Sequence, residues 1–151
     1  MANSITTQIL ANTDRKLVVQ YGLASDGTEL DQGILVDISD SAYNSSGGKA
    51  LTGVAVERVL VSKTDTQQIY IGWAATNLYT FAHASNSAST SSAVSDFNYG
   101  SEWGGLVKDN ITVVAGTGAG SGTPTGDIAA TTASMTSNDS FTILLVMRKI
   151  F

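Results

Sequence analysis

His83 is the only histidine of the chain, and there is no cysteine. Those two counts settle most of the catalytic chemistry. Without a thiol there is no disulfide framework, Cys-based zinc site, iron–sulfur cluster or cysteine nucleophile. A serine nucleophile needs a base, His83 is the single imidazole available, and the sequence contains no G-x-S-x-G elbow. His83 closes a short β-rich run, so it is expected to be a surface or half-buried residue with its polar needs met. The reading is non-enzymatic, with no catalytic, cofactor-binding or metal-binding residue assigned.

Acidic residues gather loosely at Asp26, Glu29, Asp31, Asp37 and Asp40. A hard cation needs several converging oxygens, and the D-x-D-x-D-G spacing of a calcium loop is absent. The glycine-rich stretch Gly116–Gly126 carries no lysine and is followed by β-like residues. It therefore lacks the lysine and following helix of a phosphate cradle and is expected to be a turn between strands. Trp73 and Trp103, with Tyr99 and Tyr43, are the aromatic rings that could stack on a sugar. Trp73 falls in strand periodicity and is expected in the core, whereas Trp103 sits beside Gly104-Gly105. The sequons at Asn44, Asn110 and Asn138 are what a chain rich in Asn, Ser and Thr produces without selection for glycosylation.

The elements that must carry these residues are strands. Ser and Thr supply 36 of the 151 residues and Gly another 15, while charged residues make up only 14%. No segment keeps an i, i+3, i+4, i+7 apolar stripe beyond a turn or two, and β-branched and aromatic residues recur at period two. Strands are expected at Arg15–Leu23, Gly33–Ile38, Val54–Ser62, Gln68–Ala74, Leu78–His83, Asn110–Ala115, Asp127–Thr132 and Phe141–Lys149. Val54–Ser62 and Gln68–Ala74 flank a short polar connection and read as a hairpin. Gly72 marks either a bulge or the close approach of a neighbour. Phe141–Lys149 is apolar on both faces up to Arg148, as suits a central strand or one covered by another subunit. The expected core is Leu17, Val19, Val56, Ile69, Ile71, Trp73, Phe141, Ile143 and Leu145. Ala84–Ser95 reads as a low-complexity surface loop, mobile or ordered by a neighbouring subunit. The fold class is all-β: one antiparallel β-sandwich or jelly-roll-like barrel over residues 1–151.

The formal net charge is −5, which argues against a nucleic-acid partner, since phosphate neutralisation needs a cationic face. The opening residues lack a basic region and a long apolar run, and Ile143–Met147 is too short to span a bilayer. A soluble protein made in a cytoplasm, with no membrane partner, is expected.

Four blocks of the chain resemble a known group. They are Asn3–Leu10 with Asp14–Tyr21, Val56–Val61 leading to Ile69–Thr76, Gly104–Asn110 with Gly122–Ile128, and the end Ser140–Lys149. Together they resemble small virion structural proteins of tailed bacteriophages, especially phages of aquatic bacteria. The resemblance covers most of the chain through fold motifs and contains no active-site signature. It implies a capsid decoration, or cement, protein that binds the major capsid protein from outside and stabilises the shell as a homotrimer. Synthesis would be in the host cytoplasm. The alternatives are a tail or neck component, or a carbohydrate-binding module of a host-recognition device.

Overall fold

A computed structural model describes residues 3–64, 67–84, 93–100, 105–107, 120 and 122–151. Among them are nine strands and one 3-10 turn at Ser41–Tyr43. The strands are β1 (Ser4–Asn12), β2 (Lys16–Ala24), β3 (Gly33–Val36), β4 (Gly53–Lys63), β5 (Gln68–Trp73), β6 (Tyr79–Ala84), β7 (Ala93–Asn98), β8 (Ile128–Ala133) and β9 (Ser140–Ile150). One sheet has five strands in the order β1-β2-β9-β4-β7, and the other has four in the order β3-β8-β5-β6. Every described pair is antiparallel. From β2 onward the chain alternates between sheets except at the β5–β6 hairpin. That is the strand order of a jelly roll, with β1 added beside β2.

The core lies between the two sheets. Leu17, Val19, Tyr21 and Leu23 of β2 alternate inward, as do Phe141, Ile143, Leu145 and Met147 of β9. They meet Ile69, Ile71 and Trp73 of β5 and Ile128 and Ala130 of β8. All nine core residues expected from the sequence are buried, none more than 3% exposed. The final strand is central, flanked by β2 and β4.

The expected hairpin between β4 and β5 does not form. β4 is hydrogen-bonded to β7 and β9, so neither of its edges is left for β5, and the chain crosses to the other sheet. Gln67 fixes that crossing: its Nε2 donates to the Thr64 and Ser140 carbonyls, each at 2.8 Å. A short polar connection between two β-rich runs suits an arch between sheets as well as a turn within one. The expected loop Ala84–Ser95 is also shorter than its composition suggests. Ala84 ends β6 and is buried, and β7 begins at Ala93, paired with Lys63 of β4. The β4 edge supplies backbone partners to a segment whose own side chains gave little strand signal. Residues 85–92 and the expected strand Asn110–Ala115 lie outside the described residues. β1 had no counterpart among the expected strands.

Both meanings expected of Gly72 hold. The β5–β6 register shifts between Ile71 and Gly72. A Cβ at Gly72 would sit 2.1 Å from the Tyr79 carbonyl oxygen, which only glycine permits.

The sheets differ by one strand, and the difference leaves a step. Register with β2 turns Ile5, Thr7 and Ile9 of β1 toward the core side, opposite Leu23, Tyr21 and Val19. The four-stranded sheet ends at β3, one strand short of the five-stranded sheet. Ile5 and Ile9 stay 49% and 43% exposed. The ends of β1 are held: Asn3 Nδ2 donates to the Thr28 carbonyl at 2.9 Å, and Asn12 Nδ2 to the Ala42 carbonyl at 2.7 Å.

Candidate functional site

A candidate surface is the outer face of the five-stranded sheet. Strand alternation sends Val18 of β2, Leu60 of β4, and Leu144 and Val146 of β9 outward. Val18 is in register with Val146, and Leu60 with Leu144, so the four form one patch across three adjacent strands. Each is half-buried by its neighbours. A bulge in β4 makes this phase possible. The β4–β9 register shifts between Val56 and Arg58, so Val56 and Val59 both face the core while Arg58 and Leu60 face out.

Charged residues frame the patch. Arg58 holds Asp96 of β7 through two bonds, Nε to Oδ1 at 3.0 Å and Nη2 to Oδ2 at 2.7 Å. The pair holds the Asp96 carboxyl below the usual range and raises Arg58. Lys16 is ion-paired with Glu57, and exposed Arg148 lies opposite Lys16 in the β2–β9 register. An apolar centre within a polar rim is the anatomy of a protein-binding surface. The sequence signal for it lay in Val18 and Leu60, apolar residues on the faces that otherwise read as polar.

The residues singled out for chemistry do not converge. His83 is half-buried on β6, and its ring stacks on Tyr70 of β5. Burial lowers its pKa, and the charge of Lys63 lowers it further. The acids serve local structure. Asp26 accepts from the Thr28 amide at 3.0 Å, Asp37 from the Ser39 amide at 2.9 Å, and Asp40 caps the 3-10 turn through the Ala42 amide at 2.9 Å. Glu29 takes the Thr132 hydroxyl at 2.7 Å and the Met135 amide at 2.8 Å. Among the described residues no three His, Cys, Asp or Glu side chains gather as a metal site.

The aromatic candidates are engaged in packing. Trp73 is 1% exposed and tilted against Phe81 at 5.2 Å. Tyr43, considered as a platform, is buried. Tyr99 meets Phe81 edge-on at 6.2 Å and donates its hydroxyl to the Phe81 carbonyl. Burial pushes the Tyr99 pKa up to about 12. A ring that is buried, or anchored by its hydroxyl in the interior, is a poor sugar platform. Trp103 and Asn110 lie outside the described residues, as do 116–119 and 121 of the glycine stretch. Gly122 of that stretch adopts φ +81° and packs against Thr76, and β8 follows it. Asn44 ends the 3-10 turn, and Asn138 lies in the exposed turn before β9. Among the described residues no helix is long and apolar enough to cross a membrane.

No family model matches the chain, and no curated protein does. Among solved structures it is similar to one described as "CBM4 structure and function". The identity is 13%, the match covers 89% of this chain and 84% of that chain, and the TM-score is 0.29. A match that loose carries no argument about what this chain binds.

Proposed function

We propose that this protein is a non-enzymatic structural component of a phage particle, a decoration protein that binds the outer shell and stabilises it. The observation that carries the reading is the framed apolar patch of Val18, Leu60, Leu144 and Val146, set on three adjacent strands of the five-stranded sheet. It lies on the second apolar face of the Phe141–Lys149 strand. A cement protein needs a stiff β scaffold, an apolar contact with a polar rim, and several copies, so that each contact after the first is intramolecular. Three copies is the number the phage resemblance implies.

The test is stoichiometric addition of the purified protein to shells assembled from the major capsid protein of the same phage. The expected result is saturable binding and a higher shell disruption temperature. Val146→Glu puts a charge in the patch at a half-buried, outward position. It should retain the circular dichroism of the parent and lose shell binding at least tenfold. Unchanged binding of Val146→Glu, or no binding of the parent protein, would overturn the reading.

A further inference from the structure

The step between the two sheets has a shape that a second copy of the chain fits. We infer that two copies interlock through β1 and β3 about a two-fold axis parallel to the strands, each filling the space beneath the other's β1. The contact does not depend on the shell reading.

The argument starts from the unequal sheets. One layer holds five strands and the other four, and the extra strand β1 overhangs the free edge of β3. Rotating a second copy by 180° about an axis parallel to the strands aligns its five-stranded sheet with the first copy's four-stranded sheet, and the reverse. Two layers of nine strands result. In each layer β1 lies beside the partner's β3. Both strands start at the end of the sandwich where β2 gives way to β3, so they run in the same direction. The inward faces of the two β1 strands meet across the layers, at the usual sheet spacing of about 10 Å. Ile5 and Ile9, exposed in the isolated chain, are then covered.

Charge points to the same occupant. β1 is SITTQILAN and β3 is GILV, with no ionisable side chain in either. A protein of net charge −5 repels its own copy at long range, and these two strands can approach without like charges meeting. Neither strand carries a lysine or proline, the common guards of an open edge. A self-complementary step supplies the pairing that the guards would otherwise prevent.

The contact is small. β1 and β3 contribute thirteen residues per copy, roughly half the number on each side of a standard interface. The free dimer should therefore be reversible, with a dissociation constant of roughly 10–100 μM. By symmetry the number of copies in a closed assembly is even, two from this contact alone and six if a three-fold contact forms as well.

Sedimentation equilibrium across that range tests it. The parent chain should move from one copy of 15.6 kDa to an even number. The double variant Ile5→Lys, Ile9→Lys alters two exposed positions, so it should keep its thermal midpoint and remain without the two-fold association. Because the chain has no cysteine, Thr7→Cys and Gln8→Cys can be compared with a bismaleimide spanning about 10 Å. Thr7 faces the partner's Thr7 across the axis, whereas Gln8 points outward. Thr7→Cys should give a covalent pair and Gln8→Cys should not. A mass fixed at one or three copies at every concentration would overturn the inference. So would cross-linking of Gln8→Cys as efficient as that of Thr7→Cys, or none with either.

Discussion

Tyr70 and His83 face each other across the β5–β6 pair with their rings stacked, 4.3 Å between centroids and 7° between planes. Gln68 joins them on the same face. Its Oε1 accepts the Tyr70 hydroxyl at 2.6 Å and lies 3.3 Å from His83 Nε2. The one imidazole of the chain is thus used as a flat packing surface.

This pair gives the chain a pH dependence. Burial, followed by the charge of Lys63, lowers the His83 pKa from 6.5 in the folded chain. The unfolded chain therefore takes up the proton first, and stability rises with pH across that interval. The contribution is fully present above pH 6.5 and is lost as pH falls through the lowered folded value. His83→Phe keeps a ring against Tyr70 and removes the proton site. Thermal midpoints of parent and variant, compared between pH 7.5 and 5, should show a slope in the parent that the variant lacks. Parallel curves would refute the assignment.

Ile71 and Leu145 are fully buried on opposite sheets. Replacing either with Ala should cost about 2–5 kcal/mol in urea unfolding. A loss below about 0.5 kcal/mol at both positions would mean that the sheets do not pack through these residues.

Gly72→Ala tests the bulge. The added methyl would collide with the Tyr79 backbone, which cannot swing aside as a side chain can. The substitution should destabilise the protein by at least about 2 kcal/mol, although alanine is otherwise the mildest change available. A neutral effect would mean that β5 and β6 lie further apart at Gly72 than a 2.1 Å Cβ contact with the Tyr79 carbonyl oxygen allows.

Tyr99 should be the last phenol to ionise. Its pKa is pushed up to about 12 by burial. In a spectrophotometric titration of the folded protein, Tyr99→Phe should remove the highest step and leave the lower ones in place. The lost hydroxyl bond to Phe81 should cost about 1 kcal/mol. Loss of a low-pH step instead would show that Tyr99 is solvated.

Side chains whose period repeats over several residues were legible in the sequence. Leu17, Val19, Ile69, Ile71, Ile143 and Leu145 alternate strictly, and a two-residue period admits one inward face per strand. What escaped depends on partners far along the chain. Ser4–Asn12 mixes Ile, Thr, Gln and Leu without clean alternation, because its core-side face is only half covered and because a bulge falls between Ile9 and Ala11. Ala93–Asn98 becomes a strand through the edge that β4 offers it. The path from Lys63 to Gln68 could not be told from a hairpin, since the choice rests on which strands already occupy both sides of β4. The outer patch was half visible, in the two apolar faces of β9 and in Val18 and Leu60 on otherwise polar faces, but that the four adjoin emerged only with the register.

The position of β9 bears on how the molecule is made. Of the nine described strands, the last in chain order is the middle strand of the larger sheet, inserted between β2 and β4. Until residues 140–150 leave the ribosome, β2 and β4 each lack a neighbour, and their inward valines and leucines have no completed layer to enter. The nascent chain must therefore carry two open edges until β9 emerges. Folding then becomes a single late event, closed by pairings that are distant in sequence and hence slow to find. A ribosome that stops before β9 releases a chain without its keystone, and such a fragment should be cleared or aggregate rather than persist as a shortened but working protein.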